Sequence, residues 1–165
     1  MVADHREFKA NGESIENVQR TFQDITNILN FMFAPLNINI TLAGVKIWNK
    51  QDAIHLDENY NVTLDNFIEY RDTMSFPDTE IDYVHMLTHQ LFADSVGGMS
   101  LLRSICFGKY SSGVSTRLSD VTGVVVAAIA HELGHSLGMD HDSESCDCPS
   151  EYCIMNSGIN PYLAP

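Results

Sequence analysis

The chain has 165 residues, with 9 Lys and Arg against 22 Asp and Glu, which gives a formal net charge of −13. A surface this acidic repels nucleic acid, so nucleic-acid binding is excluded. The longest uninterrupted apolar run, residues 124–130, is far too short to span a membrane, and no basic-then-apolar leader stands at the start. We therefore expect one soluble, monomeric domain over residues 1–165, which buries about 70% of the surface of its unfolded chain.

The first third of the chain predicts a strand and then a helix. Residues 1–8 favour the end of a first strand, followed by a turn at Asn11-Gly12. Ser14 is a suitable N-cap for a helix that ends at Pro35, because apolar residues then recur at every third or fourth position. These are Ile15, Val18, Phe22, Ile25, Leu29 and Met32. The stripe predicts a helix that packs against the core.

Apolar and polar residues alternate over residues 36–42, which predicts a half-buried strand. Val45 and Ile47 fall on the opposite parity, so we expect a bulge at Ala43-Gly44. Further on, Thr63 is the expected N-cap of a second helix that ends before Pro77. Its inward residues are Leu64, Phe67, Ile68 and Tyr70.

Three strands and a long helix follow in the second half of the chain. The strands are predicted at residues 83–88, 96–103 and 112–117. The helix is predicted at residues 121–137, and its first half is apolar on every side, which indicates deep burial. Its valines do not favour a helix intrinsically, so packing must hold it, and a buried helix is a rigid mount for side chains at its end.

The end of this helix carries His131, Glu132 and His135, and Gly138 and His141 follow. Residues four apart on a helix lie about 6 Å apart, so His131 and His135 can bind one ion. Gly138 can end the helix in a left-handed conformation that turns His141 back toward that ion. Three imidazoles with an open fourth position are a donor set of catalytic zinc, and Glu132 is then placed to act as a general base.

Two histidines four apart also occur without a metal, and His85 and His89 are such a pair. No Glu follows His85, and the surrounding residues predict a strand. Four residues of strand span about 13 Å, which is too far for one ion. We expect no metal there, whereas the coincidence of five residue types around His131 favours zinc.

The residues 131–141, followed by Met155 in Cys153-Ile154-Met155, resemble a metzincin zinc protease with its Met-turn. Three further features narrow the resemblance to the adamalysin or reprolysin branch, the catalytic domains of ADAM proteases and snake-venom metalloproteinases. These features are Asp142 directly after the third His, the pair Cys146-x-Cys148, and Val2-Ala3-Asp4-His5-Arg6 near the start.

The resemblance implies an α/β fold: a twisted, mixed and mostly parallel sheet with an antiparallel edge strand, packed with helices (the metzincin fold). Residues 1–138 would form an upper part with the active-site helix at about 121–138, and residues 139–165 a small irregular lower subdomain. The family's last helix and terminal cysteines have no counterpart, so we expect the chain to be C-terminally truncated. Residues 96–103 resemble the edge strand, to which a protein or peptide substrate would bind as an added strand.

The resemblance also implies roles for single residues. Zinc is held by His131, His135 and His141, and Glu132 is catalytic. Structural residues at the site are Met155, Gly138 and Asp142, the last buried below the zinc. Substrate contacts are expected at Gly97, Gly98, Met99, Ser100, Ile154, Asn156, Ser157 and Gly158. Asp82 matches an aspartate of the family's calcium (Ca2+) site, but the other two ligands have no counterpart, so that site is incomplete.

The four cysteines allow three full pairings. The family pairs the equivalents of Cys148 and Cys153, which close a short loop before Met155. The family's partners for Cys106 and Cys146 lie further downstream, so here these two are either free or bonded to each other.

We expect from all of this a zinc-dependent endopeptidase, secreted or in the ectodomain of a membrane-anchored parent. Its substrates would be extracellular or cell-surface proteins, with Glu132 taking a proton from water and passing it to the departing amine. Two alternatives remain at this point: a catalytically impaired binding or adhesion module of the same fold, and a zinc hydrolase that acts on substrates other than peptides.

Overall fold

The computed structural model describes residues 1–74, 80–143, 145–147 and 153–157. Within them it has one five-stranded sheet and four α-helices. The strands are β1 (Val2–Ala3), β2 (Lys46–Ile47), β3 (Val84–Thr88), β4 (Gly98–Ser100) and β5 (Ser112–Thr116). The helices are α1 (His5–Ala10), α2 (Ile15–Phe33), α3 (Tyr60–Asp72) and α4 (Thr122–Leu137). None of the helices in the described ranges is long and apolar enough to cross a membrane.

The sheet is mostly parallel with one antiparallel edge, as predicted. Its strand order is β2-β1-β3-β5-β4, and every neighbouring pair is parallel except β4 and β5. The register of that last pair places Gly98 opposite Ser115 and Ser100 opposite Gly113. The outer side of β4 therefore has no strand paired to it within the described residues, which confirms the predicted edge strand in a shorter form.

Helices cover both faces of the sheet. Leu87 points into a core with α2 and α4, and its neighbour Met86 points into a second core with α3. This alternation follows from the pleat of a strand, which sends successive side chains to opposite faces. Because all five residues of β3 and of β5 are buried, these two strands are the centre of the fold.

The predicted helices are confirmed, with one change of cap. Ser14 caps α2 by accepting a hydrogen bond from the Asn17 amide, and α4 begins and ends within a residue of its predicted bounds. Asn59, not Thr63, caps α3. Thr63 is buried one turn inside the helix, where its hydroxyl bonds to the main chain of Asp57.

The first predicted strand is largely a helix, which corrects the prediction for residues 1–8. β1 stops at Ala3 because Asp4 accepts a hydrogen bond of 2.6 Å from the Glu7 amide and so caps α1. The predicted turn at Asn11-Gly12 is present, and Gly12 adopts a left-handed φ of 70° there. The turn therefore ends a helix and not a strand.

The alternating stretch at residues 36–42 is not a strand either, and only Lys46–Ile47 pairs with the sheet. Pro35 lies in a single 3-10 turn, and Asn37 leaves it in a left-handed conformation. The amide of Ile40 then donates to the side chain of Asn30 instead of to a neighbouring strand. Ile38, Ile40 and Leu42 still pack against the core, whereas Leu36 is 54% exposed, so the alternation predicted burial at three of its four apolar residues and predicted pairing incorrectly.

A buried ion pair fixes α1 to the end of the sheet. Glu7 is fully buried and accepts two hydrogen bonds from the Arg117 guanidinium, of 2.9 and 2.6 Å. His89 Nε2 lies 2.9 Å from the same carboxylate. Burial alone raises the pKa of Glu7, but the hydrogen bonds from His89 and Arg117 outweigh it and lower the pKa to about 2.

Candidate metal centre and cleft

Three imidazole nitrogens converge at the C-terminal end of α4. His131 and His135 lie one turn apart on the helix, and their Nε2 atoms are 3.0 Å apart. His141 Nε2 lies 3.2 Å from that of His131 and 3.1 Å from that of His135. Among the His, Cys, Asp and Glu side chains of the described residues, these three histidines form the group that could hold a metal ion.

The protonation of these rings is set by main-chain carbonyls. His131 Nδ1 is 2.6 Å from the Ile154 carbonyl oxygen, and His135 Nδ1 is 2.8 Å from that of Met139. A carbonyl only accepts, so each Nδ1 carries the hydrogen and each Nε2 presents a lone pair. Lone pairs that face each other at 3.0 Å repel, and a metal ion bound by the three nitrogens would relieve this repulsion.

The spacing of the three nitrogens fits zinc. Four-coordinate zinc binds imidazole nitrogen at about 2.0 to 2.1 Å, so tetrahedral geometry would separate two such nitrogens by about 3.3 Å. The observed separations of 3.0 to 3.2 Å require only a slight opening of the group. His131, His135 and His141, which all line the cleft, would hold the ion.

The turn that delivers His141 is made by Gly138. Its φ of 101° lies in the left-handed region, and the hydrogen bonds at its position close the helix onto Gly134 and His135. The chain then reverses, so that an exposed residue only three positions later reaches the two helical imidazoles. The sequence prediction for this turn is confirmed.

Glu132 lies beside the three imidazoles and is 4% exposed. Burial raises the pKa of its carboxyl to about 8, and the nearby Ser100 hydroxyl opposes the rise. A dication bound by the three histidines would favour the ionised form. Gly98 leaves room for the side chain, because a Cβ at that position would lie 2.8 Å from Glu132 Oε1.

Met155 lies under the helix, where the resemblance implies the floor of the site. It approaches so closely that a Cβ on Gly134 would meet its Sδ at 2.6 Å. Its carbonyl accepts a hydrogen bond of 2.9 Å from the amide of Asp142. The side chain of Asp142 is exposed and not buried as expected, because the segment after Gly138 lies on the surface and its contact with Met155 is made by the main chain.

A cleft of about 380 Å³ surrounds the centre, bounded by the edge strand on one side. Five predicted substrate residues line it, namely Gly97, Gly98, Met99, Asn156 and Ser157. Two do not: Ser100 is buried and donates a hydrogen bond of 2.7 Å to the Glu132 carbonyl, and Ile154 uses its carbonyl to orient His131. Gly158 lies outside the described residues.

Three cleft residues were missed by sequence reasoning: Tyr60, Asp94 and Ser95. Val96, which also lines the cleft, belongs to the predicted edge strand. A hydrogen bond of 2.8 Å from the Ala93 amide to the Glu58 carbonyl brings the start of α3 next to the turn before β4. No local sequence pattern predicts a contact between segments so far apart in the chain.

A second cavity, of about 300 Å³, lies behind α4 and is lined by its apolar residues, among them Ile129 and Leu133. That cavity is not lined by any of the three histidines.

Two other residues considered as metal ligands, His85 and Asp82, lie outside the cluster of three histidines. His85 is buried in β3, 3.0 Å from both the Tyr83 hydroxyl and the Ser115 hydroxyl, and burial lowers its pKa to about 3. Asp82 is exposed, and its carbonyl accepts a hydrogen bond from Ser111. In the described ranges, no group of metal-binding side chains includes Asp82, so calcium binding stays a prediction.

Cys106 and Cys146 are both free and exposed, which decides between the two alternatives left open by the sequence. Cys153 is disulfide-bonded. Its predicted partner, Cys148, lies outside the described residues, so that pairing stays a prediction.

The chain is similar in sequence to one protein family and in fold to a solved structure. A model of the Reprolysin (M12B) family of zinc metalloproteases matches residues 1–164. A solved structure described as "Structure of a chaperone-substrate complex" is similar to this chain with a TM-score of 0.66 and 14% sequence identity. The match covers 97% of this chain and 27% of that one, and at this identity it shows a shared fold alone.

Proposed function

The chain belongs to the reprolysin (M12B) family of zinc metalloproteases, and from this membership we propose that it is an endopeptidase that cuts extracellular or cell-surface proteins. The observation that carries the proposal is the convergence of three imidazole nitrogens beside a buried carboxylate in an open cleft. Secretion, alone or as the ectodomain of a membrane-anchored parent, is part of the same proposal.

Substrate binding is proposed at the edge strand. β4 has its outer side toward the cleft and its inner side paired with β5. An extended peptide that adds to such an edge is held by main-chain hydrogen bonds, which every sequence can form. The peptide would then cross the cleft beside Glu132, because Gly98 of this strand and the Glu132 carboxylate lie in contact.

Glu132 is proposed as the general base and acid of the reaction. His131, His135 and His141 would hold a zinc ion, which would supply Lewis acidity toward the scissile carbonyl and the attacking water. The ionised Glu132 carboxylate takes a proton from the attacking water and later delivers it to the nitrogen of the leaving amine. Its burial makes this proton transfer efficient, because little bulk water competes for the carboxylate.

The test is cleavage of a quenched fluorescent peptide library by the zinc-loaded chain and by the variant Glu132→Gln, with zinc content measured on both. The variant keeps the shape of the side chain and removes the base, so we expect about one zinc per chain in each protein. We expect the hydrolysis rate to fall about 10²- to 10⁴-fold, the range that general base catalysis supplies.

Other outcomes lead to other functions. Zinc in both proteins with no cleavage by either would point to a binding module that has kept the fold. Absence of zinc from both would contradict the assignment of His131, His135 and His141 as ligands. Equal activity in both would exclude Glu132 as the base.

A further inference from the structure

One wall of the cleft is not used by the proposed chemistry. It is formed by Tyr60, at the start of α3, and by Asp94, in the turn before β4. Both residues line the same cavity as the three histidines and Glu132. The hydrogen bond from the Ala93 amide to the Glu58 carbonyl holds these two segments side by side. The wall is therefore a built part of the cleft.

This wall carries negative charge. Among the described residues, the acidic side chains that line the cavity are Asp94 and Glu132, and no Lys or Arg lines it. The Asp94 side chain is exposed, and no ion pair within the described ranges involves it. Glu58, also acidic and exposed, is next to the contact that joins the two segments. A positive side chain entering the cleft at this end would meet a carboxylate that no other side chain neutralises.

We propose that Asp94 and the ring of Tyr60 form a subsite for a Lys or Arg side chain of the substrate, an inference that rests on the proposed peptidase function. A carboxylate pairs with the charged group, and an aromatic face attracts the same cation through its quadrupole. Arg suits such a subsite better than Lys, because its planar guanidinium stacks on a ring while it donates to a carboxylate.

The position of the subsite sets where the basic residue stands. A peptide added to β4 advances about 3.3 Å per residue, and the turn that carries Asp94 directly precedes β4. The basic side chain therefore lies a few residues from the cleaved bond, not at the bond itself. Because side chains of an extended peptide alternate in direction, one position along it should respond and its two neighbours should not.

The experiment measures binding separately from catalysis. Zinc-loaded Glu132→Gln protein is titrated into fluorescein-labelled peptides, in which one Arg is moved through four positions on each side of the scissile bond. Each peptide has a partner with citrulline, a neutral isostere, in place of Arg. We expect Arg to bind about 5-fold more tightly than citrulline at one position, the size of an exposed ion pair combined with a cation–π contact.

Variants of the wall should change this preference in a defined way. In the Glu132→Gln background, Asp94→Asn should reduce the ratio of the two affinities from about 5 to about 2, the share that the ring alone supplies. The control Asp120→Asn makes the same charge change before α4, about 20 Å of helix away from His135, and should keep the preference. Tyr60→Leu should weaken the preference, whereas Tyr60→Phe, which keeps the ring, should retain it.

Each result bears on the inference. Equal affinity for Arg and citrulline peptides at every position would overturn it and leave the peptidase proposal intact, because peptides would still bind and be cut. A preference that Asp94→Asn leaves undiminished would overturn it as well. If no peptide binds to Glu132→Gln and none is cut by the zinc-loaded parent, both proposals fail together.

Discussion

The three candidate ligands are held in two different ways. His131 and His135 stand on α4, whose residues pack against the sheet and α2 in the larger core. His141 lies in an exposed segment after Gly138, which is connected to the helix by main-chain hydrogen bonds such as that between Asp142 and Met155. Core packing therefore orients two ligands before any metal arrives, while the third depends on a turn and on the metal itself.

This difference predicts that changes in the two regions will have different consequences. A change that weakens the sheet or α4 lowers the stability of the domain and, with it, zinc affinity. A change confined to the segment after Gly138 lowers zinc affinity and leaves the metal-free domain nearly as stable as before. The predictions below test this separation, beginning with the largest expected effect.

Arg117→Met should have the largest effect on stability. It removes the guanidinium beside a fully buried carboxylate, Glu7, and leaves only His89 and Asn11 next to it. We expect a loss of about 3 kcal/mol, the low end for a broken buried pair. Urea denaturation followed by circular dichroism measures the change. The control Arg20→Met removes the exposed pair with Glu16, which contributes less than about 0.5 kcal/mol. Similar losses in the two variants would contradict the role assigned to the buried pair.

Acid should weaken the same ion pair without a mutation. The pKa of Glu7 is about 2 in the folded protein, against an ordinary value of 4.5, so the folded state binds fewer protons in this window. Its contribution is complete above pH 4.5 and falls as the pH drops toward 2, by on the order of 3 kcal/mol. Denaturation of metal-free protein between pH 5 and 3 should show this decline. Glu7→Gln should show a shallower one, and parallel curves would refute the assignment.

His141→Ala addresses the other region. We expect zinc affinity to fall at least about 100-fold, beyond the usual effect of losing a residue that only orients a ligand. The free energy of unfolding of metal-free protein should change by less than about 0.5 kcal/mol, because the side chain is exposed. Competition with a chromogenic chelator gives the affinity, and His55→Ala is an exposed control at a residue that does not line the cleft. A large loss of metal-free stability would show that the segment belongs to the core after all.

The sequence predicted what local patterns encode. The stripe of α2, the apolar start of α4, the buried strands β3 and β5, and the spacing of the histidines all follow from periodicities that one segment carries alone. The helix at His5–Ala10 was missed because a single cap, Asp4, decides it against a strand-like run. Residues 36–42 alternate correctly, but strand pairing depends on which partners the main chain finds in the fold.

The cleft shows the same limit. The metal ligands and Glu132 lie within eleven residues of each other, so their spacing was readable. Tyr60 and Asp94 come together only because a hydrogen bond joins two segments that are distant in the chain. The spacing of residues within one segment cannot predict such a contact. The exposure of Asp142 was mispredicted for the same reason, since burial depends on what else covers the turn.

Gly134→Ala tests the contact between the two regions. The added Cβ would meet Met155 Sδ at 2.6 Å, so the methionine must move away from the helix. The shift disturbs Ile154, whose carbonyl orients His131, and zinc affinity should fall about 10-fold. Gly123→Ala is a matched control on the same helix, because its Cβ would meet no atom within 4 Å. That control should leave zinc affinity unchanged.

Gly138→Ala should have a small effect on stability and still separate the two regions. A Cβ at a φ of 101° costs about 1 kcal/mol, since the left-handed conformation strains every residue except glycine. Gly108→Ala, at a φ of 53° with open space around it, should cost a similar amount. Only the Gly138 variant moves the turn that delivers His141, so only it should lower zinc affinity in a chelator competition. If both variants lose zinc equally, the loss reflects stability alone, and the turn does not position the third ligand.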